Sequence, residues 1–170
     1  GTLTAANYGL SGGTVNANLG TGTLNVTGSS ALNGTSAAGT VAISGGTLTL
    51  GVSGSIATSS SVSIAGGAVL DTSAKASFAF PAAQSYTLNV NGAGAGSCGS
   101  INAAGLDISA GVVDFNVIGT LDDAAYVLAT HTGLTGSAFA SVTPPAGYMI
   151  DYAYNGGTQI AQIHWMQALT

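Results

Sequence analysis

The chain is predicted to be all-β. A β-solenoid, a parallel β-helix-like stack, is expected over residues 1–80, and an aromatic-richer β cap or small β-sandwich continuing the stack over residues 81–170. Three observations predict this. Thr40-Val-Ala-Ile-Ser-Gly-Gly-Thr-Leu-Thr-Leu50 reappears as Ser61-Val-Ser-Ile-Ala-Gly-Gly-Ala-Val-Leu70, so that Val41 aligns with Val62, Ile43 with Ile64 and Leu48 with Val69, at the same spacing each time. A period of roughly twenty residues is that of stacked β-coils. Within each unit apolar residues alternate with Thr, Ser or Asn, the two-residue period of a half-buried strand, and no stretch carries the i, i+3, i+4, i+7 stripe of an amphipathic helix.

The elements follow in order. Ser11-Gly-Gly-Thr-Val-Asn-Ala-Asn-Leu19 and Gly22-Thr-Leu-Asn-Val-Thr-Gly28 state the repeat with looser spacing. Val, Ile and Thr suit a pleated surface, and the Gly-Gly pairs stand where the chain must turn, since glycine takes positive φ without a Cβ clash. The expected interior of this part is Val41, Ile43, Leu48, Leu50, Ile56, Val62, Ile64, Val69 and Leu70. Around Phe78-Ala-Phe-Pro81 the texture changes: all four Phe, five of the six Tyr and the single Trp lie from Phe78 onward. Gly92-Ala-Gly-Ala-Gly-Ser-Cys-Gly99 reads as a flexible loop. Strands are predicted near 85–90, 106–109, 112–118, 125–130, 148–154 and 158–165, with a turn at Thr143-Pro-Pro-Ala-Gly147 and a hairpin through Asn155-Gly156-Gly157.

Composition restricts the function. The chain holds one basic side chain of the Lys/Arg type, Lys75, against six acidic ones, and 4% charged residues in all, where about 25% is ordinary. A surface of neutral hydroxyls, amides and small apolar groups tolerates close packing against another copy, whereas mixed charge keeps neighbours apart. With pI near 4.1 and no basic patch, nucleic acid is not an expected partner. No run approaches the roughly 18 apolar residues of a membrane span. So few ionisable groups also predict a stability that changes little in acid.

Groups that carry chemistry elsewhere are weighed against plainer roles. Asp107 and Asp114 are the best-spaced carboxylate pair for glycoside hydrolysis, but aspartate more often caps a turn. Asp122 and Asp123 are the weak metal candidates, as a calcium pair with backbone carbonyls, against an exposed turn. His131 and His164 are read as polar strand-face residues, since no third metal ligand accompanies them. Cys98 is either an intermolecular thiol or a small residue tucked away reduced. Asn25 and Asn33 match the glycan-acceptor pattern. Tyr148, Tyr152, Tyr154 and Trp165 form an aromatic group read as cap core or protein interface before a sugar platform. No catalytic residue, bound metal or cofactor is expected, and the chain is not expected to be an enzyme.

The Ser-Gly-Gly-Thr-Leu-Thr-Leu units resemble the autotransporter-associated β-strand repeat of large secreted bacterial proteins. Tyr126-Val-Leu-Ala-Thr-His-Thr-Gly-Leu-Thr-Gly-Ser-Ala-Phe-Ala-Ser-Val142, Pro145-Ala-Gly-Tyr-Met-Ile-Asp-Tyr152 and Gln159-Ile-Ala-Gln-Ile163 are similar to the end of such passengers. The resemblance implies a β-solenoid exported and displayed outside the cell. The expected function is a structural subunit of an extracellular self-assembling fibre, sheath or surface layer, with a cell-surface adhesin or carbohydrate-binding module as the alternative and cell-surface glycans as its partners. Assembly is expected through strand-edge pairing with other copies, head to tail. Thr2, Leu3, Thr4, Tyr8 and Leu10 are the expected pairing residues, because the first eighty residues hold no proline and only two charged groups, Asp71 and Lys75, to blunt an edge.

Overall fold

A computed structural model of the chain describes residues 1–92, 97–121 and 125–164. It is almost entirely β. In chain order the strands are β1 (Thr2–Leu3), β2 (Asn7–Leu10), β3 (Gly13–Val15), β4 (Asn18–Leu19), β5 (Thr23–Val26), β6 (Ser30–Leu32) and β7 (Thr40–Ile43). There follow β8 (Thr47–Leu50), β9 (Ser61–Ile64), β10 (Val69–Asp71), β11 (Phe78–Ala79), β12 (Ser85–Asn91) and β13 (Ser97–Cys98). The last are β14 (Ser100–Asp107), β15 (Val112–Ile118), β16 (Ala125–Thr135), β17 (Ser141–Val142), β18 (Tyr148–Ala153) and β19 (Gln159–His164).

The chain lays these strands alternately on two parallel ladders. One runs β2, β5, β7, β9, β12, β15, β17; the other runs β3, β6, β8, β10, β14, β16 and is extended by the antiparallel pair β19 and β18. β1 and β4 form a third, short parallel pair, continued by isolated bridges from Leu19 to Ser36 and from Thr35 to Ser55. Parallel neighbours need a crossover connection, and here each crossover carries the strand of the other ladder.

Register turns the two-residue alternation into columns. On the first ladder Tyr8, Leu24, Val41, Val62, Tyr86 and Val113 stack in register, and all are buried. On the second, Leu32 lies on Leu50, and Leu48 on Leu70, which lies on Ile101. Each such side chain contributes on the order of 1.5–3 kcal/mol on burial. The Gly-Gly turns behave as their sequence requires: Gly13, Gly46 and Gly67, the second member of each pair, have positive φ.

Of the expected interior, Val69 is the exception. On the first ladder Val41 pairs with Val62, as the repeat demands. On the second, Leu48 pairs with Leu70, and Val69 falls opposite Thr47. The turn through Gly66 and Gly67 holds one residue more than that through Gly45 and Gly46. A one-residue slip moves a side chain to the other face, so Val69 is only half-buried while Ala68 and Leu70 enter the core.

The spacing between stacked partners grows along the chain. Asn7 pairs with Thr23, Thr23 with Thr40, Thr40 with Ser61, Ser61 with Ser85, Ser85 with Val112 and Val112 with Ser141. Each circuit is longer than the one before, and the last, Val112 to Ser141, is nearly twice the first, Asn7 to Thr23. In the C-terminal half aromatic rings pack together: Phe80 meets Phe78, Tyr86 and Phe139 edge-on, and Phe139 packs at a tilt on Tyr152.

One polar residue anchors this core. The Gln84 amide donates to the carbonyls of Ile56 and Ser59, at 2.8 and 2.9 Å, and its carbonyl accepts the Tyr86 hydroxyl. Gln84 and Tyr86 are fully buried. Replacing Gln84 by alanine strands these partners, each at about 1–3 kcal/mol. Denaturant unfolding of Q84A is therefore expected to show a loss of about 2 kcal/mol or more; an unchanged midpoint would mean the three partners find other acceptors and donors.

Candidate assembly interface

The strands at the N-terminal end are paired on one side only. β1 bonds to β4, β2 to β5 and β3 to β6, and no other strand among the described residues pairs with β1, β2 or β3. Thr23 and Thr27 donate to the carbonyls of Ala6 and Leu10. By the alternation of a ladder the even residues of β2 face β5, and the backbone groups of Asn7 and Gly9 point to the open edge. In the same way Asn18 and Gly20 bond to the carbonyls of Gly1 and Leu3, and Asn33 to that of Val15, which leaves Thr2 and Thr14 on the open edges of β1 and β3.

These edges surround an apolar cavity of about 210 Å³ lined by Leu3, Ala5, Tyr8, Leu10, Val15 and Leu19 among others. Tyr8 and Leu19 in this lining are buried, whereas Leu3 is 54% exposed. Tyr8 braces the mouth. Its hydroxyl donates to the Leu3 carbonyl at 3.0 Å and accepts the Ala5 N–H at 3.0 Å. No charged side chain precedes Asp71.

The expected pairing residues divide accordingly. Thr2 is on an open edge. Leu3 and Leu10 line the cavity, and Thr4 is exposed between β1 and β2. Tyr8 is buried and turns its backbone toward β5, so it supports the edge and does not form it. Asn7, Gly9 and Thr14, which sequence reading passed over, carry the open backbone groups. Two-residue alternation could have found Asn7 and Gly9 once Tyr8 was placed inward; Thr14 needed the register of β3.

The opposite end has one-sided strands too: among the described residues β17 pairs only with β15, and β18 only with β19. β16 is covered by β19, and β19 by β18, both antiparallel. The expected hairpin is present, turning through a short helical segment, Tyr154–Gly157, in which Asn155 and Gly156 have left-handed backbone angles. Tyr148 and Tyr152 are half-buried and pack on Tyr126 and Phe139, and the Tyr152 hydroxyl accepts the Phe139 N–H. Both therefore belong to the wall of the wide end. Tyr154 lies at the turn, half-buried. Asp151, in the outer strand β18, bonds through its carboxylate to the Ala153 N–H. Asp122, Asp123 and Trp165 lie outside the described residues.

The other chemical candidates take structural roles. Asp107 accepts the N–H and hydroxyl of Ser109, which holds its carboxyl below the usual range; it caps a turn. Asp114 stands on the outer face of β15, on the other ladder. Lys75 donates to the Val52 carbonyl. Cys98 is a correction to the intermolecular thiol: it is buried in β13, against the end of β12, and burial pushes the thiol up to about 12. The segment read as a loop thus returns at Ser97–Cys98 to the sheet, and β14 begins at Ser100, ahead of the strand expected near 106. The Asn33 side-chain nitrogen donates to the Asn16 side chain at 2.7 Å, and Asn25 lies on the outer face of β5. His131 is also a correction. It lies on a strand face, as expected, but on the inward face of β16: it is 2% exposed, registered with Ala103, with neither ring nitrogen hydrogen-bonded, and burial lowers its pKa.

Among the described residues no three His, Cys, Asp or Glu side chains are grouped for a metal ion, and no helix is long and apolar enough to cross a membrane. Comparison with family models, with curated proteins and with solved structures gives no match.

Proposed function

We propose that the chain is a β-solenoid body of an extracellular structural assembly, and that it extends by β-pairing at its N-terminal edge. The observation that carries this reading is the stack: parallel strands in register on two ladders, in a chain with one Lys, no Arg and 4% charged residues. The stacking of strands in register from β2 to β17 supports the solenoid reading, and the likeness to autotransporter passenger repeats supports display outside the cell. The work done is mechanical. Backbone bonds and apolar contacts join bodies whose surfaces, poor in charge, tolerate close packing.

Sedimentation and electron microscopy of the chain test this. Associated species are expected, and they are expected to persist from low salt to about 1 M, where the screening length is only about 3 Å, because backbone pairing and apolar contact do not depend on long-range charge. Dissociation on raising salt would defeat the mechanism. A strictly monomeric protein that binds a glycan array through the Tyr148–Tyr154 region would establish the adhesin function instead.

A further inference from the structure

We infer that Asn155 is a site of spontaneous deamidation, the one Asn-Gly step of three that the fold leaves free to react, and that its conversion to isoaspartate loosens the β18–β19 hairpin. Nothing in this depends on how the chain assembles.

The sequence holds three Asn-Gly steps, Asn33-Gly34, Asn91-Gly92 and Asn155-Gly156. The chemistry is the same in each. Hydroxide takes the glycine N–H proton, and the glycine nitrogen attacks the asparagine Cγ. A C–N bond forms, the Cγ–Nδ2 bond breaks, and ammonia leaves with a proton returned by water. A second water then opens the succinimide ring at either carbonyl, giving aspartate or isoaspartate. Glycine favours the step because no side chain hinders its nitrogen or restricts its backbone. Cγ and that nitrogen must meet, so a backbone held on both sides resists the reaction.

Two of the three steps are held. Asn33 donates its N–H to Val15 and its side-chain nitrogen to the Asn16 side chain at 2.7 Å, and the Gly34 carbonyl accepts the Ser55 N–H. Gly34 also packs on the Ala17 carbonyl, which a Cβ would overlap. Asn91 stands in β12, registered with Ile118 on one side and Ser97 on the other. The attacking nitrogen itself, that of Gly92, donates to the Ile118 carbonyl at 3.0 Å. A bonded N–H of this kind reacts only when the ladder opens locally.

Asn155 is not held in this way. It and Gly156 are exposed at the tip of the hairpin, and a Cβ placed on Gly156 or Gly157 meets nothing within 4 Å. Asn155 has φ 54° and ψ 48°, a left-handed conformation that costs an L-residue about 1–2 kcal/mol. Leaving it for ring closure meets no neighbouring wall, and the two glycines that follow absorb the change.

The product alters the turn. In isoaspartate the main chain runs through the former side chain, and the Asn155 carbonyl becomes a free carboxylate. That carbonyl accepts the Thr158 hydroxyl at 2.9 Å, and the Thr158 N–H donates to the Tyr154 carbonyl. The Thr158 carbonyl in turn accepts the His131 N–H at 2.9 Å and ties the turn to β16. A lengthened turn draws Thr158 away from this place.

The folded chain, aged in mildly alkaline buffer, is mapped by chymotryptic digestion and mass spectrometry, with isoaspartate methyltransferase to mark the isomer. Asn155 is expected to convert at least about tenfold faster than Asn33 or Asn91, a difference of about 1.4 kcal/mol in barrier. In urea the three rates are expected to converge. Asn155→Gly accepts the left-handed angles without a side chain, and it is expected to yield no product at the turn and to keep the hairpin. Amide exchange at Thr158 and His131 is expected to quicken in the converted chain and not in N155G. Conversion of Asn33 or Asn91 as fast as Asn155 in the folded chain overturns the selection. An Asn155 that reacts only in urea is held as firmly as the ladders, and overturns the site. A converted chain with unchanged exchange at both amides overturns the loosening.

Discussion

Replacing Gly34 by alanine is expected to destabilise the protein by about 3 kcal/mol or more, beyond the range of an ordinary surface substitution. A Cβ at Gly34 would overlap the Ala17 carbonyl oxygen and stand 2.6 Å from the Ala17 carbonyl carbon and 3.0 Å from the Asn18 nitrogen. All three are backbone atoms of the preceding circuit, and they cannot turn aside as a side chain would. Nor is the backbone free to retreat. The Gly34 carbonyl accepts from Ser55, Asn33 donates to Val15, and the Thr35 N–H donates to the Asn18 side chain. The substitution must therefore open two strand contacts or spread the stack. Gly133→Ala is the control. That residue lies in β16, has no positive φ, and a Cβ there meets nothing within 4 Å. A conformationally compatible Gly→Ala change stabilises by roughly 0.4–1 kcal/mol through the unfolded chain. Urea unfolding of the two variants should thus move in opposite directions; equal behaviour would mean that the circuits are not packed backbone to backbone at this corner.

The second large effect concerns acid. Stability is expected to fall as pH drops below about 6.5, and His131→Leu is expected to remove most of that fall. The ordinary histidine value is 6.5, and burial in the core lowers that of His131. Above 6.5 the ring is neutral in both folded and unfolded chains, so it adds no pH dependence. Below 6.5 the unfolded chain takes up a proton that the folded core refuses, and stability declines until the folded value is passed. Asp107, held low by Ser109, acts separately: its contribution is present above the ordinary carboxylate value of 3.8 and lost only below it. At neutral pH His131→Leu removes two ring nitrogens that are buried without partners, and orphaned groups cost about 1–3 kcal/mol. The variant should melt a few degrees higher, at about 2–4 °C per kcal/mol for a chain of this size. Melting from about pH 7 to about pH 4 decides the matter; a flat wild-type profile would show that the fold does not hold the ring neutral. Composition alone predicts little change in acid; the burial of His131 is what sets this expectation apart from it, and the same melting series decides between the two.

How much of this was legible in the sequence depended on which rule was local. The all-β character, the glycine turns and most of the repeat's interior were readable, because two-residue alternation and positive-φ glycine are properties of a few consecutive residues. Val41, Ile43, Leu48, Leu50, Ile56, Val62, Ile64 and Leu70 are each no more than 1% exposed. The hairpin through Asn155 and Gly156 was readable for the same reason. Where two distant segments had to be aligned, sequence was insufficient. One extra residue at the Gly66–Gly67 turn turned Val69 outward, a difference that composition-matched repeats conceal.

Burial and edge exposure were decided only in three dimensions. His131 and Cys98 look like polar and reactive positions in isolation, but both are buried once β16 and β13 join the sheets beside β14 and β12. Asn7, Gly9 and Thr14 look like ordinary turn and strand residues, yet they acquire open backbone groups because no described strand lies beyond the first circuit. The widening of the circuits from Asn7–Thr23 to Val112–Ser141 likewise emerges only from register, and it is what makes the two ends unlike. Alternation determines which side chains point inward; which strand comes next to which, and where pairing stops, is set by the closure of the chain on itself.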